Sequence, residues 1–395
     1  MATALFLKRQ GHEITIFEQF SEPRPVGSGL LIQPSGQFIL EALGLLESMK
    51  SLASPVSRLN GISVEQDRRA LDMHYAHTGQ GSPALGIHRA SLFSVLLRAV
   101  RAAAVPIVVN SKLVAVDDGS NLVRPVFETG ACPTSFDLLI DASGARSSLA
   151  GGKPKRLDYG AFWATVDMPD KHGLVPAALD QRYYRASQMA GIMPIGLNPA
   201  TGKPGAAIFW SEKPENTDRV IAAGIEQFRS NYCDLWPEAE PFVSQLLSVD
   251  ELTLAIYGHR TGSPASTDRL FHVGDSWHCT SPQLGQGANM ALIDAAAYQI
   301  ISNAERSVYA ALSVGQQVQA MDPGYRDPSF CSSTGYPKSN RQNGFRQSRV
   351  EDMMDGALAC VFPNPFVMPN HFIDYEAEEL FRKFRVEIGI TGQLT

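Results

Sequence analysis

The sequence predicts an α/β protein in two interleaved parts, and three stretches predict it. Met1 to Gln10 reads as the later part of a helix stopped by Gly11, and His12 to Glu18, HEITIFE, follows as an alternating strand that ends on an acid. Arg269 to Ala297, RLFHVGDSWHCTSPQLGQGANMALIDAAA, opens as a short apolar strand over Leu270 to Val273, turns at Gly274-Asp275 and re-enters a helix near Gly287. Strand, acid-bearing turn and helix in that order is how parallel α/β units present a binding turn. By contrast, 159–168, 181–195 and 205–211 are strand-like, rich in aromatic and branched residues, with no helix between them, which predicts an antiparallel sheet.

Bulk composition narrows the class. The chain has 395 residues, enough for one large or two medium domains, and is 44% hydrophobic with 33 glycines and 25 prolines, which is globular and loop-rich. Forty acids against 34 bases, with no basic block, give no nucleic-acid footprint. The five cysteines, at 132, 233, 279, 331 and 360, form no CxxC pair and suggest neither zinc nor a disulfide framework. No apolar run reaches the length of a membrane span and no signal peptide is visible, so the expectation is a cytoplasmic protein without an integral membrane segment.

Taken in order, each segment has a local reason. Pro23 to Gln33, PRPVGSGLLIQ, is a glycine-rich turn and short strand, and Ser35 to Met49 a helix with an apolar stripe at Phe38, Ile39, Ala42, Leu45 and Leu46. Strands are expected over 59–71 and on to Tyr75. His88-Arg89 opens a helix over Ala90 to Ala103, with Leu92, Leu96 and Leu97 inward. Val105 to Val109 reads as a buried strand, and 113–116 with 123–128 as a small antiparallel excursion. Phe136 to Ile140 is a strand ending in Asp141-Ala142-Ser143-Gly144-Ala145-Arg146-Ser147. Helices are expected at Val220 to Tyr232, Glu238 to Ser248 and Asp294 to Ala311, with a returning strand at Leu252 to Tyr257. Residues 322–343 are polar and turn-rich; helix is expected again at 347–362 and 373–384, in either a divergent lid or an extension.

The segment GDSWHCTSPQLGQGANMALIDA resembles the second flavin-binding segment of the FAD-dependent aromatic-hydroxylase family, the flavoprotein monooxygenases that include para-hydroxybenzoate hydroxylase and salicylate hydroxylase. ATALFLKRQGHEITIFEQ resembles the continuation of that family's dinucleotide fingerprint, HRASLFSVLLRA its Arg-then-helix segment, and DASGARS its Asp-Gly motif. The resemblance covers roughly residues 1 to 300. It implies a Rossmann-like FAD/NAD(P)-binding domain of the para-hydroxybenzoate hydroxylase fold with an antiparallel-sheet substrate domain. No GxGxxG and no first strand precede Glu18 in the sequence. The expectation is a truncated or misassigned start; the alternative is a degenerate relative with weakened cofactor binding. The implied division is 1–58, 88–155 and 263–320 for the FAD-binding domain, 59–87 and 156–262 for the substrate domain, and 321–395 for a divergent C-terminal region.

The resemblance also implies roles. Glu18 stands where the ribose-binding acid belongs. Arg89 would neutralise phosphate or hold the flavin edge, unless it is only a helix-start arginine. Asp275 would meet the ribityl chain, and Pro282, Gly285, Gln286, Gly287, Ala288 and Asn289 would lie against the isoalloxazine. The helix start there would favour anionic reduced flavin. Ser143, where the family has an acid, and Gly144 would contact FAD or nicotinamide. His278 is either a supporting residue of the site or a structural histidine. Phe162, Trp163, Tyr183, Tyr184, Met193, Phe209 and Trp210 could line an aromatic pocket or simply be core, and Pro194 resembles a position facing the ring. No catalytic base and no metal site stand out. The implied reaction is hydroxylation of an aromatic or similarly conjugated small molecule by O2 and NADH or NADPH through a C4a-hydroperoxyflavin, in a monomer or homodimer. A non-catalytic relative with a structural or interaction role, or a flavin oxidoreductase that does not hydroxylate, are the alternatives.

Overall fold

A computed structural model describes residues 1–304 other than 24–26, 78–81, 120, 186, 261–266, 268, 280–281 and 283–284, and leaves out the side chains of 298–304. The expectations for residues 305–395, including the turn-rich segment and the last helices, lie outside the described residues.

Helix α1 (Ala2–Arg9) leads to strand β1 (Ile16–Phe17), β2 (Gly29–Ile32), α2 (Pro34–Ala42) and α3 (Leu46–Lys50). Three strands follow, β3 (Ser54–Val56), β4 (Arg58–Ser63) and β5 (Arg68–His74); then β6 (Ala84–His88) runs directly into α4 (Arg89–Ala102). Five short strands come next: β7 (Ile107–Val108), β8 (Leu113–Asp118), β9 (Val123–Phe127), β10 (Gly130–Ala131) and β11 (Leu139–Asp141). After β12 (Lys155–Arg156) come the long strands β13 (Gly160–Asp167), β14 (Ala178–Tyr184), β15 (Gln188–Leu197) and β16 (Pro204–Glu212). Helices α5 (Thr217–Leu235) and α6 (Glu240–Val243), strands β17 (Thr253–Ala255), β18 (Gly258–His259) and β19 (Leu270–His272), and helix α7 (Gly287–Ala304) complete the described chain.

The expected antiparallel sheet is a seven-stranded sheet in the order β17-β13-β16-β15-β14-β4-β5, with only the β14–β4 pair parallel. Both of its faces are covered. On one, Phe162, Ile192, Ile208 and Trp210 pack against Phe228, Tyr232 and Trp236 of the α5 region and against Phe242. On the other, Met193, Ile195 and Ala207 pack against Leu31, Val56 and Tyr75. A separate core joins α1, α2, α4 and α7 through Phe6, Leu40, Val100 and Ala295. Parallel pairing survives in two places, β1 with β7 and β11 with β19, and among the described residues no strand joins the two pairs.

Several expectations need correction. The helix expected over 35–49 is two helices: Gly44 adopts φ +67°, the left-handed turn that ends a helix and that glycine tolerates best. The Val105–Val109 strand is not buried along its length. Only Ile107–Val108 pair, and Val108 is 44% exposed. The 238–248 helix shrinks to Glu240–Val243, while the preceding helix lengthens to Thr217–Leu235 across Gly224, which sits outside helical geometry at φ +82°. The strand expected over 136–140 is shorter, starting three residues later and ending one later, at Leu139–Asp141.

Candidate active site

The turn after β19 is built by hydrogen bonds that the local sequence dictates. Gly274 takes φ +59°, and a side chain there would meet the Ala291 methyl at 3.0 Å, so only glycine lets the turn lie against α7. Its N–H donates to Asp294 Oδ2 at 2.6 Å, and the same oxygen meets His278 Nε2 at 2.8 Å. Ser276 Oγ donates toward Asp141 O (2.7 Å) and Val273 O (2.8 Å), tying the turn to the end of β11. Arg260, which the sequence reading did not single out, fastens the far side: Nη1 donates to Ser276 O at 2.6 Å and Nη2 to Gly152 O at 2.7 Å.

The next segment is bolted to β2. Asn289 is fully buried; its Nδ2 donates to Leu31 O (3.0 Å) and Gly285 O (2.9 Å), and its Oδ1 accepts from Gln33 N (2.9 Å). Gln286 Nε2 donates to Gln33 Oε1 at 2.7 Å. Protein groups therefore engage both ends of the Asn289 amide, which makes Asn289 a positioning residue for the glycine turn. Gly285, at φ +62°, packs on Leu31, and Gly287 begins α7 beside Asp275 Oδ1. Ala288 is half-buried against the helical core, and Pro282 is exposed, its carbonyl accepting from Gly285 N at 2.9 Å.

Asp275 itself is accessible to solvent at the turn, yet protein walls it closely enough for burial to push its carboxyl above the usual range. His278 and Arg89 pull the other way, and Asp294 adds to the rise. Arg89 packs beside Gly27, whose φ of +104° a side chain would strain and where a Cβ would come 3.3 Å from Arg89 Nε. Burial pushes the His278 imidazole down, but Asp294 and then Asp275 outweigh it and its pKa is raised.

That rise carries a prediction. A histidine whose folded pKa lies above its unfolded value of about 6.5 stabilises the fold fully below that value, and loses the contribution as pH rises through the folded pKa. Thermal unfolding should therefore show stability falling with rising pH above about 6.5, and His278→Gln should flatten that slope. Identical slopes for the two proteins would remove the assigned charge pair.

Not all expected site residues converge on this turn. Glu18 accepts from Phe20 N at 3.0 Å in its own local turn, at the end of β1. Ser143 does not present a free hydroxyl: its N–H (2.9 Å) and Oγ both donate to Asp141 Oδ1, with Ser147 Oγ and His272 Nδ1 on Oδ2. Burial raises the Asp141 carboxyl, but these four donors reverse the shift and hold it below the usual range. Gly144 turns the chain at φ +82° with open space around it.

The aromatic candidates divide by strand alternation. Thr253, Trp163, Phe209, Gly191, Gln181, Gly61 and Leu71 form one row across the sheet. Met193 and Ala207 lie on the same face one row on, with Gly29 pressed onto them: a side chain there would come 2.7 Å from the Ala207 methyl and 3.0 Å from Met193 Cε. Tyr183 folds its ring over Gly61, and burial pushes its phenol up to about 12. Phe162 and Trp210 face the α5 side instead, and Tyr184 is 40% exposed. Pro194 pairs with Ala206, a residue of the α5-side core, so by alternation it sits on the face opposite Met193. Its carbonyl abuts Gly86 of β6, where a side chain would come within 2.0 Å.

An accessible carboxylate beside an arginine, two glycine turns and the positive end of an 18-residue helix suit a ligand with sugar hydroxyls, phosphate and a flat ring. FAD fits that donor set: Asp275 would take ribityl hydroxyls, Arg89 would meet negative charge, and the α7 start would face the ring. Fold and site together define a flavin-dependent oxidoreductase. The model of the FAD binding domain family matches residues 1–301, and the chain belongs to that family, as a flavoprotein of the FAD-dependent aromatic-hydroxylase type.

Named relatives agree. The chain is 25% identical over 308 residues to 3-amino-4-hydroxybenzoate 2-monooxygenase of Streptomyces cremeus, covering 74% of this chain and 73% of that protein. It is 25% identical over 316 residues to 6-hydroxynicotinate 3-monooxygenase of Bordetella bronchiseptica, covering 75% and 78%. Among solved structures, Pseudomonas aeruginosa PqsL in complex with 2-aminobenzoylacetate superposes with a TM-score of 0.68 at 17% identity over 90% of this chain and 95% of that one. Klebsiella pneumoniae HpxO complexed with FAD and uric acid gives 0.64 at 18% identity over 93% and 95%. At these identities the structural likeness speaks to the fold.

Proposed function

We propose that the protein uses NADH or NADPH and O2 to hydroxylate an aromatic or similarly conjugated small molecule. One observation carries this reading: the Gly27–Gly29 segment, which holds Arg89 near the Asp275 turn, crosses the sheet face formed by Met193 and Ala207, next to Trp163 and Phe209. A flat cofactor at the turn and a flat substrate on that face would be neighbours. Bound FAD supplies the redox and oxygen chemistry. The chain's own residues bind and orient: Asp275 accepts hydroxyls, and α7 offers its N-terminal N–H groups. The apolar face of Trp163, Phe209, Met193 and Tyr183 keeps water from the reacting ring. The names of the relatives, which act on hydroxybenzoate and hydroxynicotinate rings, support an aromatic acid as substrate class.

A second reading, a non-catalytic flavoprotein relative, draws on two observations: the parallel strands form two separate pairs, and the Ser143 hydroxyl is committed to Asp141. One experiment separates the two. Protein purified with FAD is mixed with NADH or NADPH and a panel of hydroxy- and carboxy-substituted aromatics. Product is identified by mass spectrometry and counted against peroxide. Catalysis requires a probe that both speeds nicotinamide oxidation and gains one oxygen atom. Oxidation that ends wholly as peroxide with every probe would leave an oxidoreductase that does not hydroxylate, and a colourless protein would favour the non-catalytic reading.

A further inference from the structure

We propose that Tyr257 determines substrate specificity by donating its hydroxyl proton to an anionic oxygen, phenolate or carboxylate, on the substrate ring. The proposal rests on the aromatic-substrate reading above and names a residue for it. Trp163 Nε1 donates to Tyr257 Oη at 2.7 Å across 94 residues of chain. An indole N–H can only donate, so this bond fixes the phenol oxygen as acceptor and leaves its own proton to be given elsewhere. Among the described residues no protein group accepts it. A part-buried hydroxyl that is oriented by the protein and has a proton to spare is a ready donor for a ligand.

The surroundings fix the class of ligand. Trp163 packs on Phe209, ring centres 4.7 Å apart and tilted by 36°, and the outer edge of the Phe209 ring reaches over Gly191. Two glycines in one row, Gly191 and Gly61, are covered by the Phe209 and Tyr183 rings, so this face carries aromatic side chains of the kind an aromatic ring packs against. The charge beside it is positive. Arg89 acts electrostatically on both Tyr257 and Asp275, so the cofactor turn and the phenol share one nearby cation. Ser28, whose carbonyl accepts from Arg89 N at 2.8 Å, sets its Oγ 2.8 Å from Thr165 Oγ1 in the row beside Trp163. This locks the arginine-bearing segment to the sheet. A ring lying along Trp163 and Phe209 with an oxygen anion at Tyr257 would meet one donor and one nearby cation, while a ring without that oxygen would leave the donor unmatched.

The test uses the full chain loaded with FAD and matched for flavin content. Dissociation constants for 4-hydroxybenzoate, benzoate, phenol and the oxygen-free ring toluene are read from the perturbation of the flavin absorbance, with wild type, Tyr257→Phe and Trp163→Phe compared. Wild type is expected to prefer at least one oxygen-bearing probe to toluene. Tyr257→Phe should lose about tenfold or more of that affinity, with toluene unmoved, as for one hydrogen bond to a charged group. Trp163→Phe, which keeps the donor but frees its direction, should lose a smaller part of the same preference. A productive substrate, once found, should show the Tyr257→Phe loss chiefly in KM. Three results would overturn the proposal. Equal binding of oxygen-bearing probes by wild type and Tyr257→Phe defeats it alone. A parallel loss for toluene reduces Tyr257 to packing. Wild type binding none of the four defeats the aromatic-site reading and this proposal together.

Discussion

Asp275→Ala is expected to lose FAD. The carboxylate is the one acid accessible at the turn where β19 gives way to α7, and its hydrogen bonds to ribityl hydroxyls would each be worth roughly 1.5–3 kcal/mol, about tenfold to a hundredfold in affinity. Asp275→Asn keeps an acceptor without the charge and should fall between. The fold should not suffer with it. The turn is held by Gly274 N on Asp294, Ser276 on Asp141 and Arg260 on Ser276, none of which passes through the Asp275 side chain. Thermal unfolding without FAD should thus match wild type while flavin titration shows the loss. The raised carboxyl adds a pH arm: as pH falls through it, Asp275 gains a proton and FAD affinity should drop in wild type but not in Asp275→Ala. Unchanged flavin affinity in Asp275→Ala would sink the assigned role.

How far the sequence carried this site depends on the range of the interactions. The 269–297 stretch is legible because each of its residues acts on a near neighbour. Gly274 makes the turn, Gly285 the next one, and Asp294, on the α7 face toward the turn, reaches back to His278. The division of the aromatic residues was not legible. Phe162-Trp163 and Phe209-Trp210 are adjacent aromatic pairs on a sheet buried on both faces, so hydrophobicity alone cannot say which member faces the cofactor side. Only the register resolves it, setting Trp163 against Phe209 and Phe162 against Trp210. Tyr257 and Arg260 escaped notice for a related reason: their partners, Trp163 and Gly152, are about a hundred residues away. Ser143 has a structural task that its motif does not show. The motif suggests an outward role, while the buried aspartate two residues earlier needs donors and takes both the N–H and the hydroxyl of Ser143.

The glycine beneath Phe209 offers the sharpest test of that face. In Gly191→Ala the new methyl would stand 1.9 Å from Phe209 Cζ and about 2.5 Å from the adjoining ring carbons, far inside contact distance. The backbone is held from retreating by the buried Tyr232 of α5, whose Oη donates to Gly191 O at 2.9 Å. The ring has to move instead, and Trp163 at 4.7 Å closes one side, so it must swing out toward the space where a substrate ring would lie. Overpacking of this kind costs about 1–3 kcal/mol. Gly191→Ala should therefore lower the melting temperature and weaken binding of aromatic acids by about two- to tenfold, the loss of roughly one well-placed ring contact. Combining it with Phe209→Leu removes the colliding ring edge, so the double variant should recover the stability while aromatic binding stays weak, since the stacking partner is gone. Binding that returned along with stability in the double variant would show that Phe209 only fills space and forms no wall of the site.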